Sequence, residues 1–241
     1  MRIVGTGNLK MRTTLLAAAV IAVGCGINGV RTGPVEHESK SIDLDKSEMA
    51  RVEIKMGAGE LRVDGGSPKL MDADFTYNVP SWKPIVRYNS SSFRSDLTIE
   101  HPGGSGGHGN ITYKWNLRLN NDLPMDVVTH LGAGEARINL GSVSLRSLEV
   151  NMGVGELQLD LRGNPKRDYD VSIHGGVGQA TVYLPISAGI VANATGGIGN
   201  ISVQGLESRN GRWINPAHEH APATIHLDVR GGIGQITVIA E

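Results

Sequence analysis

The chain has one cysteine, Cys25, among 241 residues. A single cysteine cannot build a disulfide framework, so any stability has to come from packing and backbone pairing. Aromatic residues make up only 4% of the chain, which argues against an aromatic-centred helical core. There is no excess of charge of either sign: 23 Lys+Arg stand against 24 Asp+Glu. Arg2, Lys10 and Arg12 precede Cys25 without any acid, so the remainder carries 20 basic against 24 acidic residues, a net of −4. A phosphate-binding surface needs clustered Lys/Arg, so nucleic acid is not an expected partner. Nor is there a long hydrophobic run. The apolar stretch Thr13 to Gly24 has 12 residues, too few to cross a bilayer core as a helix, which needs about 20.

That short run, read with Lys10 and Arg12 before it, has the layout of an export signal. It ends at Ala22-Val23-Gly24-Cys25, which resembles the bacterial lipobox. In a lipobox the cysteine thiol is acylated and becomes the mature N-terminus. Residues 1–24 are thus expected to be a lipoprotein signal peptide, with Met1 or Met11 as the start, and residues 25–45 an acylated cysteine and polar tether. Several acyl chains hold a protein stably on a membrane without crossing it. The expected location is the exported side of the cell membrane or outer membrane. Gly26 after the cysteine, rather than Asp, resembles the signal for passage to the outer membrane.

What the chain has in abundance is glycine, 33 residues, and much of it falls into one repeat. The unit is an alternating run, Gly-x-Gly, a polar residue and a second alternating run. Its copies are VEIKMGAGELRV (52–63), VVTHLGAGEARI (127–138), LEVNMGVGELQL (148–159), VSIHGGVGQATV (171–182), ANATGGIGNISV (192–203) and LDVRGGIGQITV (227–238). The repeat glycines are Gly57, Gly59, Gly132, Gly134, Gly153, Gly155, Gly176, Gly178, Gly197, Gly199, Gly232 and Gly234. Five and three positions before the first glycine, and two and four after the second, almost every column member is aliphatic, as in Val52 and Ile54 before the glycines and Leu61 and Val63 after them. A period of two places each set on one strand face, and an aliphatic face is a core face. Middle copies recur every 21 to 23 residues, the length of one coil of two strands and two turns.

No copy can stand alone. About five buried aliphatic side chains contribute roughly 1.5–3 kcal/mol each. Ordering about 22 residues costs roughly 1–2 kcal/mol apiece. The expectation is an all-β, solenoid-like stack in which each repeat pairs with its neighbours, with something covering the ends. Between the first two copies lies a long insert holding Phe75, Tyr77, Trp82, Tyr88, Phe93, Tyr113 and Trp115. It alternates like β structure, interrupted by a glycine-rich loop at 101–110, and is expected to cap the first end as an aromatic-rich β subdomain. Trp82, Tyr88 and Trp115 are a candidate interaction surface; the alternative is that the tryptophans are core.

The succession GAGELRV, FTYN, SWKP, Tyr88, a Trp-containing strand, GAGEARINL and GVGELQLDL resembles the toast-rack family of bacterial envelope proteins. The resemblance covers residues 47–241. It implies an N-terminal toast-rack domain at 46–140, a C-terminal repeat stack at 141–241 and a cell-envelope location. It carries no activity. Some members belong to membrane proteins of envelope-stress signalling and others are described as adhesin-like.

Candidate chemistry is thin. Gly175-Gly176-Val177-Gly178 has the glycines of a dinucleotide fingerprint, but a β-alternating run follows where a helix is required. The polar column Glu60, Glu135, Glu156, Gln179, Asn200 and Gln235 would form a ladder about 4.8 Å apart, either structural or, at Glu135 and Glu156, cation-binding. His218, Glu219, His220 and His226 include metal-ligating types without a convincing third ligand. No cysteine nucleophile exists beyond Cys25, and no acids and bases cluster as a glycosidase requires. The expected function is therefore a membrane-anchored, non-catalytic binding or scaffold module without cofactor or metal. Its partners would be membrane lipid through Cys25 and an envelope protein or glycan. The alternatives are a carbohydrate-active β-solenoid enzyme and an envelope-stress sensor.

Overall fold

The computed structural model describes residues 30–103 and 107–241. In chain order the strands are β1 (Val30–Arg31), β2 (Glu36–Ile42), β3 (Met49–Ser67), β4 (Met71–Tyr77), β5 (Ile85–Ser90), β6 (Arg94–Glu100), β7 (Gly107–His108), β8 (Tyr113–Asn120), β9 (Met125–Asn139), β10 (Leu145–Asp160), β11 (Tyr169–Leu184), β12 (Gly189–Gln204), β13 (Glu207–Arg209), β14 (Arg212–Ile214) and β15 (Thr224–Ala240). Short 3-10 turns occupy Pro80–Trp82 and Pro216–Glu219.

The six repeats are the six long strands, and they run parallel and in register. Chain length dictates their shape. A straight strand of the length of β9, 15 residues, would extend about 50 Å. Residues 140–144 join its end to the start of parallel β10, and five residues reach at most about 18 Å. Each long strand must therefore double back, and it does so at Gly-x-Gly. The side chains five apart across the bend confirm it: a Cβ on Gly196 would lie 3.5 Å from Ile201 Cδ1, and one on Gly231 would lie 2.9 Å from Ile236 Cδ1. Each strand thus has two arms, whose aliphatic columns belong to one continuous core.

The spatial order is β3-β9-β10-β11-β15-β12. Each repeat pairs with its neighbours in the stack, but the stack does not follow chain order: the last repeat, β15, is inserted between the fourth and fifth. The link from Leu184 to Gly189 makes this easy, because its four residues need to climb only two strand spacings, about 10 Å. After β12, the hairpin β13–β14 and the 3-10 turn carry the chain back to β15.

At the first end, β6 pairs with the first arm of β3 and β8 with the second, both parallel. Together they are an extra coil whose corner has been opened into a long loop. β5 extends the first arm; β4 and then β2 extend the second, antiparallel. The expected aromatic-rich cap is formed in this way. Phe75, Tyr113 and Trp115 are buried there with Trp82, in edge-to-face contacts at 5.4–5.6 Å. Part of the segment expected as tether is ordered: Glu36–Ile42 is an edge strand. Its outward pattern hides it from a hydrophobic reading, and it is held by backbone pairing with β4 and by Ser39–Asp74 and Ser41–Asp72 hydrogen bonds of 2.5 and 2.7 Å.

The other end is open. The short strand β14 pairs with β12 only at Val191 and Ala192. From Ala194 to Gln204 no further strand pairs with β12 among the described residues.

Candidate interaction surface at the glycine corner

The bend is built from backbone. The second glycine of each repeat holds φ between +130° and +146°, a region closed to side chains. In stack order, a Cβ on Gly134, Gly155, Gly178, Gly234 or Gly199 would fall 1.7–2.0 Å from the carbonyl oxygen of the glycine one coil below. The two glycine columns therefore form bare shoulders on either side of the central residue.

That central residue points outward. In stack order it is Ala58, Ala133, Val154, Val177, Ile233 and Ile198. The four larger side chains are 53%, 48%, 52% and 71% exposed. They make one apolar ridge along the corner, growing in size toward the open end. The residue before each first glycine shows the opposite trend. Met56, Leu131 and Met152 fill the inside of the corner in three coils, and Gly175, Gly231 and Gly196 replace them in the next three. The replacement leaves an apolar cavity of about 80 Å³ bordered by Met152, Leu157, Ile173, Ala180, Val229 and Ile236. Sequence reasoning missed the ridge; its signal was the A, A, V, V, I, I succession between the paired glycines.

The polar ladder forms in register, Glu60–Glu135–Glu156–Gln179–Gln235–Asn200. Lys114 pairs with Glu60 at 2.8 Å, and Arg137 pairs with Glu135. Side-chain cations thus already neutralise two members of the carboxylate run, as a structural ladder requires. The ladder loses its charge in the coils where the ridge is largest.

The other expected residues lie elsewhere. Cys25 is outside the described residues. Trp82 and Trp115 are buried, which removes them from an interaction surface: they fill the wedge between the arms of the opened coil. Tyr88 is half-buried, and its hydroxyl donates to Asp45. That bond, with one from the Ser47 amide, holds the Asp45 carboxyl down at about 2. His218 lies on the second 3-10 turn, with His220 just after it, and His226 is on β15. No three metal-ligating side chains converge among the described residues. Buried Asn215 locks this turn to the stack. Its Oδ1 accepts from Ile190 N at 2.9 Å, and its Nδ2 donates to Ile186 O at 3.0 Å and Ala188 O at 2.7 Å.

Comparison with known proteins agrees with this architecture. A candidate cell adhesion protein from Clostridium sporogenes has a similar crystal structure, with 32% identity and a TM-score of 0.83 over 86% of this chain and 100% of its own. A candidate adhesin from Bacteroides fragilis is 10% identical over 87% of this chain and 100% of its own, with a TM-score of 0.38. No curated protein matches the chain. Residues 31–183 match the family described as the N-terminal domain of toast_rack, DUF2154, a span that takes in the cap and the first four repeats. With more than half its length in that match, the chain belongs to the toast-rack family.

Proposed function

We propose that the chain is a non-catalytic binding or scaffold module of the bacterial cell envelope, held on the exported side of a membrane through an acylated Cys25. The observation that carries this reading is the exposed aliphatic column at the glycine corner. A rigid ladder of paired strands presents it on bare backbone shoulders, an arrangement suited to contact with another surface. Toast-rack membership and the similarity to the Clostridium sporogenes protein support a role in recognition. The lipobox-like run ending at Cys25 supports the anchor.

The test combines lipid labelling with in-cell crosslinking. Cells expressing the tagged chain are fed an alkyne-bearing fatty acid, and a photoactivatable residue replaces Ile233. The reading expects label on the membrane-associated protein, loss of label in Cys25→Ser, and crosslinks from position 233 to an envelope component, whether protein, glycan or lipid. Release of unlabelled protein into the medium would remove the anchor. Turnover of envelope glycans by the purified protein would make it an enzyme.

A further inference from the structure

We infer that the ridge Val154–Val177–Ile233–Ile198 rests on the surface of the lipid bilayer, so that the stack lies lengthwise along the membrane instead of standing away from it. This deepens the proposed function and rests on its anchored Cys25. Three observations lead to it.

The chain enters the fold at the same corner from which the ridge projects. Val30 and Arg31 of β1 pair with Gly107 and His108 of β7. β7 belongs to the loop that replaces the glycine corner of the opened coil, between β6 and β8. Cys25 precedes Val30 by five residues, a reach of at most about 18 Å. From the opened coil to β12 there are six strand steps, about 29 Å. The tether is therefore shorter than the stack, and it holds one end of the corner edge close to the bilayer.

The ridge also grows with distance from that anchored end. Ala58 and Ala133 occupy the nearest coils, then two valines, then two isoleucines. Near the anchor, apolar contact adds little, because the acyl chains already hold the protein there. At the far end the anchor exerts no leverage, and apolar side chains are needed if the edge is to lie down. Tethering supplies the local concentration that lets a few aliphatic side chains suffice.

Charge recedes where the ridge is largest. Gln179, Gln235 and Asn200 stand where the nearer coils carry Glu60, Glu135 and Glu156. The adjacent Arg230 is neutralised by Asp228 at 2.7 Å. The contact thus carries little net charge, and its strength should differ little between zwitterionic and anionic lipid.

The test places one fluorescent label at a time on the acylated chain, through Ile198→Cys, Ile233→Cys or Lys166→Cys. Lys166 lies in the turn between β10 and β11, at the rim opposite the corner. The protein is reconstituted into phosphatidylethanolamine–phosphatidylglycerol vesicles containing a lipid-borne quencher. Labels at 198 and 233 should be quenched several-fold more than the label at 166. Val154→Ala with Val177→Ala and Ile233→Ala should relieve the quenching at 198; alanine already occupies this position at Ala58 and Ala133, so the fold tolerates it. Equal quenching at 198 and 166, quenching unchanged by the alanines, or crosslinking of 198 to a protein without quenching overturns the inference. If mass spectrometry finds Cys25 without lipid, the anchoring reading alone fails. The same labelled chains mixed with vesicles then decide the ridge: preferential quenching at 198 upholds it and none overturns it.

Discussion

The α-carbon of Gly178 sits directly against the carbonyl oxygen of Gly155, so closely that a Cβ there would lie 1.8 Å from it. The oxygen belongs to a paired strand and cannot move aside alone, and the φ of +142° is itself closed to alanine. Gly178→Ala should therefore cost about 3–5 kcal/mol of stability, among the largest single-residue effects. Gly211→Ala is the control: φ is +77° but nothing lies within 4 Å, so only backbone strain of about 1–2 kcal/mol is expected. Urea unfolding followed by tryptophan fluorescence measures both. Equal costs would mean that the contact between coils contributes nothing beyond strain.

Thr129 is the polar member of an aliphatic column. Its counterparts in the other repeats are Ile54, Val150, Ile173, Val229 and Ala194. Its side chain is fully buried, and its hydroxyl has no hydrogen-bond partner among the described residues. A buried unpaired hydroxyl costs about 1–3 kcal/mol, and valine has nearly the same shape. Thr129→Val should raise stability by about 1 kcal/mol, seen as a higher urea midpoint at unchanged slope. A lower midpoint would show that the hydroxyl is satisfied in solution.

Much of this architecture was legible because the repeat enforces it. In-register pairing follows from the glycines, because only a residue without a Cβ fits over the carbonyl one coil below at the bend, and the core columns follow from period-two alternation. The insertion of β15 was not legible. GGVGQATV, GGIGNISV and GGIGQITV present nearly equivalent faces, so local pattern cannot say which neighbours which. The four-residue link before β12 and the returning hairpin after it accommodate the order. The strand Glu36–Ile42 escaped for a different reason: an edge strand held by backbone and serine–aspartate bonds needs little apolar alternation. Trp82 and Trp115 were candidates for the surface because tryptophan suits both places. The opened coil decides for burial by leaving a wedge between its arms that only large rings fill.

The cavity inside the corner yields a stabilising substitution. Gly175 has an ordinary backbone conformation, and a Cβ there meets nothing within 4 Å. Gly175→Ala should add about 0.4–1 kcal/mol by restricting the unfolded chain. Gly175→Met should add more, since it continues the buried column from Met152 into the empty space. Gly231→Ala should gain less than Gly175→Ala, because its Cβ would press on Ile236 Cδ1 at 2.9 Å. Thermal unfolding of the three variants ranks them; a loss of stability in Gly175→Ala would show that the corner needs the glycine itself.

His101 makes the aromatic cap sensitive to acid. Its ring packs edge-on against Trp82 at 5.1 Å and Tyr113 at 5.4 Å, and its Nδ1 lies 3.1 Å from the Tyr113 hydroxyl. Burial disfavours the imidazolium and holds its pKa below the ordinary 6.5. Between those two values the unfolded chain binds a proton that the folded chain refuses. The stability linked to this group is therefore full above about pH 6.5 and is lost as pH falls from there toward the lowered folded value. Asp45, held at about 2 by the Tyr88 hydrogen bond, keeps its charge across that window and does not blur it. Urea midpoints of the wild type should decline as pH is lowered from 7 into that window, and the decline should be smaller in His101→Phe, which keeps the aromatic packing and cannot take up the proton. Identical pH profiles for the two proteins would mean that His101 is as free to ionise in the fold as in the unfolded chain.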